Sequence, residues 1–435
     1  MSDKATEESN RAELAPSQVE KFQQMLTQLL ESNAFYKNKL EQAGIKNAAD
    51  IQSLDDYRKL PFTLKQELSR DQELNPPYGS NLSYPIERYT RVHQTSGTTG
   101  NPLKVLDTDE SWDWWAECWS AVFRAAGVTS SDRIMFGFSF GPFIGFWSAF
   151  SGANKVGALA IPGGGMSSRQ RAKAIVSHGA TVLVCTPTYA LHLAEVAREN
   201  GIDPAASSIR VTIQAGEPGA SLPAVKHKIE EVWGARCFDH AGASEVGAWG
   251  YESQAGDGMH LNEEQFIFEV LDPVTLKPAD EGELIISNLG RIGMPIIRYR
   301  TGDRVRLKTI RNSDGSRSRV LDGGIIGRAD DLLVVRGINV FPSAIENIVR
   351  QFPEVGEFAV DIYKKNELDE IEVKLEIKHA EPEVIAATVA QELYDRLSLR
   401  VTAQAVPFGS LPLFDLKARR FTDHRNLNGV LGEMG

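Results

Sequence analysis

Cysteine is scarce in this chain. Only Cys118, Cys185 and Cys237 occur among 435 residues, and they lie far apart in the sequence. An odd number of cysteines at such spacings supplies neither a disulfide framework nor the paired ligands of a zinc site. The composition therefore predicts a protein of a reducing compartment, and we expect a cytoplasmic protein without zinc.

Acidic residues outnumber basic residues in the sequence, and no long apolar run is present. Lys and Arg total 47 against 58 Asp and Glu, a formal net charge of −11. This balance argues against non-specific binding to nucleic acid or to an anionic membrane. The most apolar stretch, 134–150, is interrupted by glycines and a proline and is too short to span a bilayer. The start, 1–13, is polar and has no signal-peptide core.

What the chain has is the alternation of an α/β protein. Between residues 130 and 240, short apolar runs alternate with helical patterns, which indicates a mainly parallel sheet covered on both faces. After about residue 255 the pattern changes to antiparallel strands that form a small β unit. We therefore expect a large α/β body over 1–328 and a small α+β domain over 329–435.

Two local patterns carry further expectations for the helices. Ser17-Gln18-Val19-Glu20 reads as a capping box that starts the first helix. Four tryptophans fall in one later helix, and the favoured interpretation is that they anchor it to the core rather than form a ligand cage. They are Trp112, Trp114, Trp115 and Trp119.

Small and hydroxyl residues are concentrated between His93 and Pro102. Glycines let a backbone turn tightly beside a ligand, and successive free N–H groups form an anion-binding concavity. The loop lacks the Gly-Lys-Ser/Thr ending of a Walker motif, and the segment after it reads as a strand. Phosphate binding and an ordinary hairpin turn both remain open for this loop by itself. Loops at 215–218 and 241–245 are expected at the carboxyl ends of the parallel strands, where ligands of such sheets bind.

Taken together and in this order, the motifs resemble those of the adenylate-forming superfamily of acyl-CoA synthetases, and most closely its phenylacetate–CoA ligase branch. The resemblance runs from Phe35-Tyr36 to the tail near Lys417. The motifs that carry it are Thr95-Ser96-Gly97-Thr98-Thr99-Gly100, Gly242-Ala243-Ser244-Glu245, Tyr299-Arg300-Thr301-Gly302-Asp303, Gly327-Arg328-Ala329-Asp330-Asp331 and Arg336-Gly337-Ile338-Asn339-Val340-Phe341-Pro342.

The resemblance implies a two-step reaction. A carboxylate attacks the α-phosphate of ATP to give an acyl-adenylate and pyrophosphate, and a thiol, usually coenzyme A, then releases AMP. Because the carboxylate and the α-phosphate are both negatively charged, the reaction requires that their charges be neutralised and that the two groups be positioned for attack. By resemblance, Ser244 donates to the α-phosphate, Glu245 holds Mg²⁺ and Asp303 accepts from the ribose hydroxyls. The remaining nucleotide-binding residues implied are Thr95, Ser96, Gly97, Thr98, Thr99 and Gly100 at the phosphates, Gly216, Glu217, Pro218, His240, Ala241 and Gly242 around the adenine, and Arg328 near ribose or phosphate.

The same resemblance implies a mobile C-terminal domain. Lys417 would bridge the carboxylate and the α-phosphate during adenylation, as a compact ammonium can. Asp330 would be the hinge, and Gly337 would line the channel for the pantetheine of coenzyme A. The glycine that usually precedes the lysine is replaced by Leu416.

Other departures concern the nucleotide. The position of the aromatic residue that commonly stacks on adenine is occupied here by Ala241. His240 and Tyr251 are candidates to compensate for the missing ring. The lysine that usually follows the phosphate loop is replaced by Asn101. Some members of the branch carry a zinc site, but Cys237, His240 and His260 are the only candidates and form no four-ligand set.

An apolar pocket is expected for the acid. Phe138, Phe140, Phe143, Phe146 and Gly247 are candidates for its lining, although each Phe could equally be an ordinary core residue. An aryl, arylacetic or other apolar carboxylic acid fits such a pocket. The alternatives are transfer of the acyl group to a carrier protein or another acceptor, and a degenerate module that binds a nucleotide without catalysis. A homodimer is plausible for this branch.

Overall fold

The computed structural model describes residues 13–95, 102–217, 219–311, 315, 317–328, 333–335, 338–365, 368–397, 400–412 and 420–425. Within these ranges, no helix has the length and apolar character needed to cross a bilayer. The helices are α1 (Pro16–Ser32), α2 (Ala34–Gln42), α3 (Leu54–Tyr57), α4 (Lys65–Leu74), α5 (Asp109–Ala125), α6 (Ile144–Val156), α7 (Ser168–Ser177), α8 (Pro187–Glu199), α9 (Pro223–Trp233), α10 (Pro342–Val349) and α11 (Pro382–Leu397).

The strands in the described part of the chain form one large sheet and three smaller ones. They are β1 (Tyr89–Gln94), β2 (Lys104–Thr108), β3 (Arg133–Phe136), β4 (Leu159–Pro162), β5 (Val182–Cys185), β6 (Val211–Gln214), β7 (Arg236–Ala243), β8 (Gly247–Glu252), β9 (Met259–Leu261), β10 (Phe266–Leu271), β11 (Glu281–Asn288), β12 (Tyr299–Arg311), β13 (Arg317–Arg328), β14 (Leu333–Val335), β15 (Ile338–Val340), β16 (Val355–Lys365), β17 (Leu368–Ile377), β18 (Thr402–Val406) and β19 (Phe421–Asp423).

The large sheet has eleven strands in the order β10-β11-β12-β13-β9-β8-β7-β6-β5-β3-β4. The half from β4 to β7 is parallel, as the alternation of strands and helices predicts. The fold differs from the sequence-based picture in one respect. The antiparallel strands are not a separate unit packed on the body, because β7 pairs antiparallel with β8 and so carries the sheet on without a break.

The tryptophan-rich helix α5 is anchored in the core, as predicted. Trp114, Trp115 and Trp119 are at most 8% exposed and belong to the main hydrophobic core. The capping prediction at the first helix is wrong. Helix α1 begins at Pro16, and the Gln18 side chain accepts a hydrogen bond of 2.9 Å from the Ala15 N–H. Proline is favoured at the first helical position because its missing N–H would have no partner there.

The C-terminal part has a sheet and a core of its own. Strands β18-β17-β16-β19 form a four-stranded sheet, covered by α10 and α11. Strand β19 was not predicted from the sequence, and it pairs parallel with β16. Helix α10 contacts both α9 and β13, so this part lies against the larger body.

Candidate active site

The hairpin of β1 and β2 holds the base of the glycine-rich loop. The Thr95 N–H donates to the Leu103 carbonyl at 2.9 Å, and the Leu103 N–H donates to Thr95 Oγ1 at 3.0 Å. The Gln94 N–H donates to the Pro142 carbonyl at 2.9 Å, which ties this base to the aromatic segment before α6. Ser96, Gly97, Thr98, Thr99 and Gly100, together with Asn101, lie outside the described residues.

Ser244 and Glu245 lie in the turn between β7 and β8. The expected loop at 241–245 is wrong in its first part, because Ala241, Gly242 and Ala243 are the last residues of β7 and pair with β8. Small side chains at these positions let the two strands approach closely. The turn is thereby reduced to the residues that carry a hydroxyl and a carboxylate.

A buried arginine fixes the backbone of this turn. Arg291 Nη1 donates to the carbonyls of Ser244 and Glu245 at 2.8 and 3.2 Å. Its other nitrogens form a bidentate pair with Asp107 at 2.7 and 2.8 Å, and both side chains are 0% exposed. Asp107 lies on β2, directly after the glycine-rich loop. Arg291 therefore links the two segments that are expected to bind the phosphates, and its role was not found from the sequence.

Among the described residues, the Glu245 carboxylate has two partners. The Tyr299 hydroxyl donates to Oε1 at 2.6 Å, and Lys65 Nζ lies 3.8 Å from the same oxygen. Burial, reinforced by the negative charge of Glu245, raises the pKa of Tyr299, so the phenol stays protonated and remains a donor. A single buried carboxylate suits Mg²⁺, which keeps most of its waters. No cluster of three metal-binding side chains occurs in the described part of the chain.

Asp303 and Arg328 face each other across β12 and β13. They are register partners, and Arg328 Nη1 lies 3.7 Å from Asp303 Oδ1. The Asp303 N–H donates to Thr301 Oγ1 at 2.9 Å, which orients the residue after the positive-φ Gly302. The structure thus brings these two predicted nucleotide-binding residues together at the end of β13.

The segment after β6 contacts the start of α8. Gly216 has a φ of +94°, a conformation that favours glycine. The Glu217 carboxylate accepts a hydrogen bond of 2.8 Å from the Thr188 N–H in the first turn of α8. A carboxylate there is stabilised by the free N–H groups of the helix start. Pro218 lies outside the described residues.

His240 is held by the sheet and by α5. Its Nδ1 lies 2.8 Å from the Gly250 carbonyl, and its ring centroid lies 4.2 Å from that of Trp119. A carbonyl oxygen only accepts, so Nδ1 carries the hydrogen and Nε2 is the acceptor. A Cβ at Gly242 would lie 3.2 Å from Nε2. The structure therefore places the ring on the α5 side of β7, and adenine stacking by His240 or Tyr251 stays a prediction.

Burial should make His240 a source of acid instability. It lowers the pKa of the imidazole to about 4, whereas an unfolded chain titrates near 6.5. Between these values the unfolded chain binds a proton that the native protein does not, so stability falls as the pH drops from about 6.5 to about 4. We expect His240→Leu to lose stability less steeply than the wild type over this window in urea titrations. An unchanged slope in His240→Leu would refute the assignment.

Three of the predicted pocket aromatics meet in one cluster. The rings of Phe138 and Phe146 stack with centroids 3.6 Å apart, and Phe140 lies 5.7 Å from Phe138. Phe143 is the N-cap residue of α6. At Gly247, a Cβ would lie 2.7 Å from atoms of Phe266 and Trp114, so that glycine is needed for core packing. A pocket-lining role for each of these residues stays a prediction.

Lys417, Asp330 and Gly337 lie outside the described residues. Of the residues named as zinc candidates, Cys237 is buried, and His260 Nε2 lies 2.7 Å from Asp257 Oδ1.

Comparison with known proteins decides the family. Over 438 residues the chain is 31% identical to a phenylacetate-coenzyme A ligase of Escherichia coli (strain K12), with 96% of each protein covered. The chain belongs to the phenylacetate–coenzyme A ligase family. The resemblance stated from the sequence motifs is therefore confirmed. In addition, the family model described as AMP-binding enzyme C-terminal domain matches residues 337–425 of the chain.

Solved structures agree with the family and with the fold. A 2-hydroxyisobutyryl-CoA ligase in the postadenylation state, in complex with 2-HIB-AMP, matches with a TM-score of 0.88 at 28% identity, covering 94% of this chain and 89% of that one. The same enzyme with 2-HIB-AMP and CoA in the thioesterification state matches with a TM-score of 0.70 at 29% identity, covering 94% and 90%. The predicted α/β class is confirmed by these matches.

Proposed function

We propose that this protein is an AMP-forming carboxylate–CoA ligase for an aryl, arylacetic or other apolar carboxylic acid. One observation carries the proposal. The Arg291–Asp107 pair joins the Ser244–Glu245 turn to β2, the strand that follows the glycine-rich loop. Family membership points to the same chemistry. The alternatives of a non-CoA acceptor and of a module without catalysis are not favoured.

In the first step, the acid's carboxylate oxygen bonds to the α-phosphorus of ATP and pyrophosphate leaves. Ser244 would donate to the α-phosphate, Glu245 would hold the Mg²⁺ that neutralises phosphate charge, and Asp303 would accept from the ribose. Lys417 would bridge the two reacting anions. Such an arrangement acts by positioning and charge stabilisation, so the protein needs no covalent nucleophile.

The aromatic cluster supports an apolar acid. Phe138, Phe140 and Phe146 lie beside the segment whose Pro142 carbonyl binds the base of the glycine-rich loop. An apolar acyl group gains from leaving water at such a surface, whereas a charged group would lose its hydration.

In the second step, the thiolate of coenzyme A attacks the acyl carbon and AMP leaves. Gly337 would line the path of the pantetheine. Residues 1–328 and 329–435 would be the two domains. The C-terminal domain would rotate about a hinge at Asp330 between the two steps. The separate core and four-stranded sheet of the C-terminal part support this division.

The direct test is pyrophosphate release over a panel of acids, with and without coenzyme A. We expect release with apolar acids, and CoA thioester formation only when coenzyme A is present. If a carrier protein stimulated AMP formation and coenzyme A did not, the acceptor would be the carrier protein and not coenzyme A.

The variant Lys417→Ala should reduce pyrophosphate release far more than it weakens ATP binding. Turnover that survived this change would refute the role of Lys417.

Lys65 would supply further positive charge near the phosphates of ATP. Its ammonium lies 3.8 Å from Glu245 Oε1, in a chain whose residue 101 is Asn. We expect Lys65→Met to raise the Kd for ATP by about fivefold, the size of one lost and partly screened charge. Lys59→Met is the matched control, because that exposed lysine pairs with Asp56 instead. Equal ATP affinity in the two variants would exclude this contribution.

A further inference from the structure

Arg420 is a buried cation in the C-terminal part. Its side chain is 6% exposed and forms a bidentate pair with Glu357, with Nε–Oε1 at 2.8 Å and Nη2–Oε2 at 3.1 Å. Nη1 lies 3.2 Å from Glu346 Oε1, and the Arg420 carbonyl accepts from the Val360 N–H at 2.7 Å. Both the backbone and the side chain of Arg420 are thus fixed to the C-terminal core.

One hydrogen bond of Arg420 crosses to the larger body. Nη2 donates to Thr188 Oγ1, 3.1 Å away, in the first turn of α8. The N–H of the same Thr188 donates to Glu217, in the segment that is expected to flank the adenine. The guanidinium therefore connects the C-terminal core to the edge of the candidate nucleotide site.

The planar guanidinium of Arg420 can pair with Glu357 and reach Thr188 at the same time. Its donors form a rigid fork, so the pair with Glu357 sets the direction in which the remaining N–H points. A lysine ammonium could replace the charge but not this geometry. Glu346 and Glu357 together balance the charges of Arg420 and of Arg350, which pairs with the same two carboxylates. The contact with the uncharged Thr188 therefore adds orientation rather than charge compensation.

We propose that Arg420 is a positioning residue that docks the C-terminal part on α8 for the adenylation step. The inference rests on the proposed function. Lys417 precedes Arg420 by three residues, a length of chain that spans at most about 11 Å. Docking Arg420 at Thr188 therefore limits how far Lys417 can lie from the nucleotide site. In the proposed function Lys417 would act in the first step, so we expect the second step not to depend on this contact.

The test alters the acceptor and leaves the arginine intact. Thr188→Val removes the hydroxyl but keeps the pairs of Arg420 with Glu346 and Glu357, and Thr188→Ser restores the hydroxyl as a matched control. We expect Thr188→Val to lower the rate of pyrophosphate release by about tenfold, the value of one charge-assisted hydrogen bond. Thioester formation from supplied acyl-adenylate and coenzyme A should be unchanged, and Thr188→Ser should behave as the wild type. A variant that slowed both steps equally, or neither, would overturn the proposal.

A second measurement separates this proposal from the proposed function. Spin labels on Glu199→Cys in α8 and Ala387→Cys in α11 would report the distance between the two parts, and labelling is selective because all three native cysteines are buried. We expect the Thr188→Val change to broaden or lengthen the distance distribution with ATP bound. An unchanged distribution would refute docking by Arg420. If the wild type released no pyrophosphate with any acid, the proposed function would fail, whereas the distance measurement would still decide the docking contact.

Discussion

Glu245→Gln is expected to lower the rate of pyrophosphate release by about a hundredfold or more while the protein stays folded. The amide has the shape of the carboxylate but no charge, so it would hold Mg²⁺ poorly where charge develops at the phosphates. It can still accept from the Tyr299 hydroxyl, which lies 2.6 Å from Oε1. The measurement is single-turnover pyrophosphate release at saturating ATP and acid, alongside a thermal melt.

Two further variants make this result specific. Tyr299→Phe removes the donor but keeps the carboxylate, so we expect a loss of about tenfold, smaller than that of Glu245→Gln. Glu281→Gln alters a glutamate that pairs with Arg304 and Arg306 at the outer end of β11 and should leave the rate unchanged. A Glu245→Gln enzyme with the wild-type rate over a range of Mg²⁺ concentrations would contradict the metal assignment.

Arg291→Met is expected to lower the free energy of unfolding by about 3–5 kcal/mol, because it leaves Asp107 as an uncompensated buried charge. Both side chains are 0% exposed, so water cannot replace the lost partner without opening the core. The carbonyls of Ser244 and Glu245 would also lose their donor. Urea titration measures the loss of stability, and pyrophosphate release by the remaining folded protein measures the loss of turn geometry.

A double-mutant cycle separates the two effects of Arg291. Asp107→Leu combined with Arg291→Met removes both charges, so the double variant should be more stable than Arg291→Met alone. Its adenylation rate should stay low, because the turn still lacks its donor. Arg124→Met is the control for an exposed pair: Arg124 and Glu117 are 56% and 41% exposed, so the expected cost is at most about 1 kcal/mol. Full recovery of the rate in the double variant would show that Arg291 contributes stability alone.

Much of the fold follows from local pattern. The parallel strands β5 and β6 and the helices α7 and α9 occur where the apolar pattern predicts them, because these strands are apolar runs buried on both faces and each helix buries one face. The motifs also pointed to the correct family. One local prediction failed. The segment 241–245 was expected to be a loop at the carboxyl end of a strand, but pairing with the next strand, β8, makes 241–243 the end of β7.

By itself, the sequence determined the α/β class, the family and the residue types that phosphate and carboxylate chemistry requires. Only the tertiary structure showed that Arg291 and Asp107, 184 residues apart, hold the Ser244–Glu245 turn beside the strand that follows the glycine-rich loop. It also showed that Arg420, which directly follows Arg419 in the sequence, is buried against Glu357 and reaches Thr188. The physical reason is that spacing along the chain encodes which face of a helix or strand is buried, whereas a buried charge finds its partner only when distant elements pack.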